Sequence, residues 1–246
     1  MALVDLVRRG SVSLTLLFGL LASSVVWAGD NAQFSALGYS ADGQFFAFEQ
    51  FGIQDGSGFP YSEIFIIDLD SDSFAAGSPF KARIDDETAS LPDVRAQALA
   101  QAEGALEKIE ISRPALPIAL RGDGVLDDDG LEISYGIPSY GLARTEGEYG
   151  LEIDIFKAPS PRDCEYFEGN PMAFAMRRTT EGATAEIYRD SRVPASRGCV
   201  ITYKFYGIFN PFEAYDDASS VAVLSVWSHG FEGPDRRFMA VPVGER

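Results

Sequence analysis

The chain has 246 residues, with 37 acidic against 20 basic side chains and a single histidine. Its formal net charge of −17 repels phosphate backbones and anionic surfaces, which excludes nucleic acid as a partner. Apolar residues make up 46% of the chain, enough for a sizeable core, so long disorder is excluded as well.

The first 28 residues read as a cleavable secretory signal peptide. Arg8 and Arg9 supply positive charge, residues 11–26 form an apolar run, and Val26-Trp27-Ala28 offers modest or small side chains to signal peptidase. Ala28 and Gly29 are therefore expected to flank the cut. The run falls short of the ~20 apolar residues that span a bilayer as a helix, and no membrane span is expected after cleavage. Gly29 stands where lipid attachment would need a cysteine. Residues 29–246 then form a single β-rich exported domain of 218 residues. Its net charge is −18, because Asp5, Arg8 and Arg9 leave with the leader.

Two cysteines, Cys164 and Cys199, lie in the mature region. In an oxidising compartment an even count implies one bridge, closing a loop worth about 3–4 kcal/mol on the chain-entropy model.

The first mature unit is strand, turn, strand. Ser40-Ala41-Asp42-Gly43 makes the turn. Phe45-Phe46-Ala47-Phe48 follows, apolar on both faces like a strand covered on two sides. A glycine-rich loop over residues 52–61 returns the chain to Ile64-Phe65-Ile66-Ile67, dense in β-branched and aromatic residues. One helix is predicted near residues 91–110, with Ser90 as cap, Pro92 in the first turn and Asp93 at the positive end of the dipole. Val94, Ala98, Leu99, Ala102, Leu106 and Ile109 form its apolar stripe, and Pro114 and Pro117 prevent its continuation. Strands are then predicted at 131–135, 151–155, 172–178, 183–189, 200–209, 221–227 and 238–243, with residues 179–182 as a hairpin turn. Consecutive strands without intervening helices imply antiparallel pairing. The expected fold is mainly β, α+β by content: a meander, a sandwich or a partial-propeller-like sheet carrying one packed helix.

Two resemblances follow from these segments. Ser40, Asp42 and Gly43 leading a strand, with Ile66-Ile67-Asp68 ending the next, resemble a strand pair of the periplasmic propellers related to the Tol system. That implies a local blade-like meander. Residues 38–61, 193–199 and 230–237 resemble a family of predicted secreted bacterial proteins of unknown function, of alphaproteobacterial type. This implies a periplasmic or secreted location in a Gram-negative bacterium, and it brings no activity.

No catalytic residue is assigned and no cofactor is expected: neither a P-loop nor a Gly-x-Gly-x-x-Gly turn after a strand is present. His229 and Ser228 are neighbours on a predicted strand, so their side chains point to opposite faces and do not form a nucleophile–base pair. Asp68-Leu69-Asp70-Ser71-Asp72 has the alternate-acid spacing of a Ca²⁺ loop, but Ser73 replaces the turn glycine and Pro79 the bidentate glutamate. No metal site is assigned. The acids at Asp123, Asp127, Asp128 and Asp129 read as an exposed turn. The candidate binding residues are Phe51, Gln54, Asp55, Phe59 and Tyr61, aromatics and polar groups suited to a shallow binding surface. The alternative is a loop that folds its aromatics inward, and Tyr206, Phe209, Phe212 and Tyr215 pose the same question.

Three readings result: a non-enzymatic domain that binds a protein or glycan of the cell envelope, a carboxylate-dependent hydrolase, and a Ca²⁺-stabilised structural module. N-terminal sequencing of the exported protein is expected to begin at Gly29. A leader retained in the mature protein would overturn the processing scheme.

Overall fold

The computed structural model describes residues 29–122, 129–139, 144–167 and 169–245. Fourteen strands and one long helix appear among them: β1 (Gln33–Ser40), β2 (Phe45–Ile53), β3 (Pro60–Asp68), β4 (Ser73–Phe74), β5 (Phe80–Arg83), α1 (Leu91–Lys108), β6 (Ile111–Arg113), β7 (Ala115–Leu120), β8 (Glu132–Pro138), β9 (Thr145–Lys157), β10 (Met172–Thr180), β11 (Ala183–Arg189), β12 (Val200–Pro211), β13 (Val221–His229) and β14 (Pro234–Pro242). All ladders between these strands are antiparallel.

The strands sort into three sheets. An N-terminal sheet runs β4-β3-β2-β1-β6, with β5 also paired to β3. An outer sheet runs β11-β10-β9-β8, and a central sheet runs β14-β13-β12-β7. Side-chain alternation shows how they stack. Along β13, Ala222, Leu224 and Val226 join the core shared with Ile133, Leu151, Phe174 and Met176 of the outer sheet. Val221 and Val223 face the other way, onto Phe46, Phe48 and Phe65 of the N-terminal sheet. The central sheet is therefore dry on both faces. A strand in that position loses the apolar–polar alternation of a half-wet sheet and becomes a continuous apolar run. Residues 221–226 are all buried.

The far face of the N-terminal sheet carries the helix. Val94, Ala98 and Ala102 pack on Ile64 and Ala82. Ser90 caps the helix, its hydroxyl oxygen accepting from the Asp93 backbone N–H, with Pro92 in the first turn. Arg95 reaches from the helix to the buried Glu49 of β2 through two hydrogen bonds of 2.9 and 2.7 Å. Leu99 departs from the expected stripe and is 49% exposed. It lies about a quarter turn away from the line through Val94, Ala98 and Ala102, too far round to reach the sheet.

Residues 111–120, read from sequence only as the end of the helix, form two short strands. Pro117 is tolerated in β7 because β7 is the last strand of its sheet, so a missing N–H can face outward. The hairpin expected at 179–182 has a two-residue turn, Glu181-Gly182, with both φ angles positive at 53° and 81°. That turn matches the twist of the strands it joins. The strand pair resembling a propeller blade is β2–β3, which here lies within the N-terminal sheet.

Leu224 is fully buried in the seam between the central and outer sheets. Leu224→Ala is expected to lower unfolding free energy in urea by about 2–5 kcal/mol. A loss below 1 kcal/mol would show that this seam is not close-packed.

Candidate functional site

The hairpin β2–β3 determines where the sequence-predicted binding residues go. Side chains alternate across a strand, so Phe51 and Tyr61, on paired strands but out of phase, leave the hairpin on opposite faces. Phe51 is buried on the helix side, with the Arg95 guanidinium 3.9 Å over its ring. Tyr61 is buried on the side of the central sheet and donates to the Asp30 carboxylate at 2.9 Å. Its ring covers Gly52, where a Cβ would lie 3.0 Å from the phenol oxygen, so a larger residue there would displace it. The inward alternative thus holds for these two rings. The tip between them closes on itself through Gln54 N–H to the Phe59 carbonyl at 2.9 Å and Gly58 N–H to the Gln54 carbonyl at 3.0 Å. Gln54, Asp55 and Phe59 stay half-exposed on that tip, and Ile53 beside them is 53% exposed.

This tip has neighbours the sequence did not place there. Phe231, at the turn of the β13–β14 hairpin, is 88% exposed and lies against Gly56. Two residues earlier, His229 stacks on Phe167, with centroids 4.5 Å apart and planes at 12°. Phe167 in turn meets the edge of Tyr166, which is 91% exposed. Tyr166 and Phe167 belong to a short 3₁₀ turn, Glu165–Phe167, held by the Cys164–Cys199 disulfide. Three turns from three parts of the chain therefore meet at one end of the stack, around residues 54–59, 164–167 and 229–233. Tyr166, Phe167 and His229 form a continuous stack of rings there, and Phe231 stands exposed two residues beyond His229.

Between the disulfide-held turn and the start of β12 lies a cleft of about 150 Å³. Phe167, Met172 and Ile201 supply apolar walls, and Lys157, Asn170 and His229 supply polar heads. The cleft is well below the 300–1,000 Å³ of a site for a drug-sized ligand and suits a single small group.

The acids fall elsewhere. Burial pushes the Asp30 carboxyl above the usual carboxylate range, against the pull of Arg237, which donates to it at 2.5 Å. Burial also raises Asp217, against the pull of Arg178. Each is an arginine partner in a different seam, and neither lines the cleft. Asp68 accepts from the N–H groups of Asp70 and Ser71, and Asp70 accepts from Gln44, so these two acids serve the turn. No metal-binding group of three or more ligands occurs among the described residues. Asp129 accepts from the Leu131 N–H, while Asp123, Asp127 and Asp128 lie outside the described residues. Of the other aromatics, Phe209 is buried and Tyr206 packs on Phe34 and Phe238, whereas Phe212 and Tyr215 are exposed.

A family model described as predicted secreted protein (DUF2259) matches residues 47–244. The chain belongs to this family. The match takes in all three turns of the aromatic end together with both cysteines. No curated protein matches the chain. No helix among the described residues is long and apolar enough to cross a membrane, in keeping with a predicted secreted protein.

The disulfide spans 35 positions and ties the turn of Tyr166 and Phe167 to the start of β12. Replacing both cysteines by serine is expected to lower unfolding free energy by about 3–4 kcal/mol and to abolish resistance of residues 160–167 to limited proteolysis. A turn that stays equally protected without the bridge would contradict this role.

Proposed function

We propose that this member of the secreted family is a non-enzymatic domain of the periplasm or cell exterior of a Gram-negative bacterium. In this reading it binds a protein or glycan component of the cell envelope through its aromatic end. The observation that carries the reading is the meeting of Tyr166 and Phe167 with His229 from a distant part of the chain, two residues from the exposed Phe231. Large rings left in water at one place lose the burial that would stabilise them by about 1.5–3 kcal/mol each, and contact with a partner restores it. Aromatic anchors of this kind dominate the energetics of recognition surfaces. The β-sheet stack supports these turns from behind, and its dry central sheet gives them a rigid base. Gln54, Asp55 and Phe59 sit at the rim of this surface.

Carboxylate hydrolysis finds less support, because Asp30 and Asp217, both buried with raised pKa, occupy separate seams and each is held by an arginine. Such chemistry needs two carboxyl groups facing one substrate.

The test is mild crosslinking and co-purification of tagged protein from its native envelope, with proteins and glycans read by mass spectrometry. Wild type is expected to recover a specific component, and Tyr166→Ser with Phe231→Ser to recover about tenfold less of it. Equal recovery by the double variant, or no specific component at all, would contradict the proposal.

A further inference from the structure

The cleft beside His229 has a chemistry unlike the rest of the surface. The chain carries 37 acids against 20 bases, yet no carboxylate is among the described side chains lining this cleft. Its polar heads are instead a lysine ammonium, a primary amide and the chain's single imidazole. None of the three makes an ion pair or side-chain hydrogen bond with another described residue. Elsewhere the basic side chains are largely spoken for: Arg95, Arg177, Arg178, Arg189, Arg197 and Arg237 each hold a carboxylate. Lys157 ends β9 opposite Met172, and its exposed side chain is among those lining the cleft.

Two described acids on the adjoining turn are accounted for by place. The Asp163 carboxylate accepts from the Glu165 N–H and so faces its own turn, and neither Asp163 nor Glu165 lines the cleft. Lys157 and Asn170 thus offer donors that are complementary to an acceptor bearing negative charge. Phe167, Met172 and Ile201 add apolar walls, and Tyr166 stands edge-on to Phe167 beside the Phe167–His229 stack. A ligand that fits has one flat apolar face for the rings and one anionic group at its edge. A pyranose ring bearing a carboxylate has both, and one such residue suits the cleft's 150 Å³. A bare anion would leave the aromatic walls without a partner.

We propose that the cleft lined by Lys157, Phe167, Asn170 and His229 is a subsite for a carboxylated sugar residue of an acidic glycan. This rests on the reading that the aromatic end is the contact surface, and it names the ligand class. The ammonium and amide donate to the sugar carboxylate while Phe167 covers the apolar face of the ring and Tyr166, at right angles to Phe167, meets its edge. No bond is made or broken.

The experiment is calorimetric titration of the mature protein with a tetramer of galacturonate. The same tetramer as its methyl ester keeps the skeleton and removes the charge. The acid form is expected to bind, with an affinity that falls as ionic strength rises. The ester, and the acid form on Lys157→Gln, are expected to bind about tenfold more weakly, the loss of one charge-assisted contact. Tyr166→Ala is expected to weaken both sugars together. Because Lys157 is exposed, its variant keeps the fold, which near-ultraviolet circular dichroism checks. Acid and ester binding equally, no binding of the acid form, or full affinity in Lys157→Gln would each overturn the proposal. So would tetraglutamate binding as tightly as the sugar, which would assign the cleft to peptide. If the sugar fails while the Tyr166/Phe231 double variant still loses the crosslinked envelope component, only the ligand class is wrong.

Discussion

The structure depends on burying both faces of the central sheet. Strand β13 lies second from one edge of that sheet, and its side chains go alternately into two different cores. A one-residue slip of its register against β12 or β14 would exchange those two sets, sending Leu224 into the space shaped for Val223. Because each core is close-packed, both resist that slip. The register of β13 therefore fixes how the outer and N-terminal sheets sit relative to one another, and the helix follows from the latter.

The same strand delivers the candidate site. Pairing of Val200 with Ser228 brings the end of β13 beside the start of β12, so His229 lies next to Cys199. The disulfide then carries Phe167 onto the His229 ring. On the other side, the β13–β14 hairpin brings Phe231 to Gly56. A buried polar group joins the sheets near this end: the Gln50 side-chain carbonyl accepts from the Phe238 N–H at 2.8 Å, and Gln50 donates to Glu63 at 2.6 Å. Asp30 adds a second tie, receiving the Tyr61 hydroxyl and Arg237 while its backbone bonds to β14. Unpairing any one of these buried groups costs more than the net value of its bond, so the end of the stack is held as a unit.

The sequence was informative where a single strand or helix decides the outcome. The apolar run at 221–226, interrupted only by Ser225, announces burial on two faces, and the alternation at 151–155 announces a strand covered on one. Ser90, Pro92 and Asp93 mark the helix start. Pro114 and Pro117 read correctly as helix breakers, but local rules do not reveal that an edge position lets β7 accommodate Pro117. Phe51 and Tyr61 look adjacent around their loop, whereas the period of two sends them to opposite faces. The aromatic end was not legible from composition because its rings come from turns far apart in the chain. One signal was present: a Cys164–Cys199 bridge combined with a β12–β13 hairpin places residues 164–167 near residue 229. That step needs the strand register, which only tertiary packing supplies.

The most direct test of this account is native-state hydrogen exchange on the mature chain, followed segment by segment in increasing denaturant. A strand anchored in two cores has no route to solvent short of opening both. Amides of β12 and β13 are therefore predicted to exchange only with global unfolding, after those of the outer hairpin β10–β11. Exchange of β13 as early as β11 would contradict the claim that the doubly buried central sheet holds the molecule and its aromatic end together.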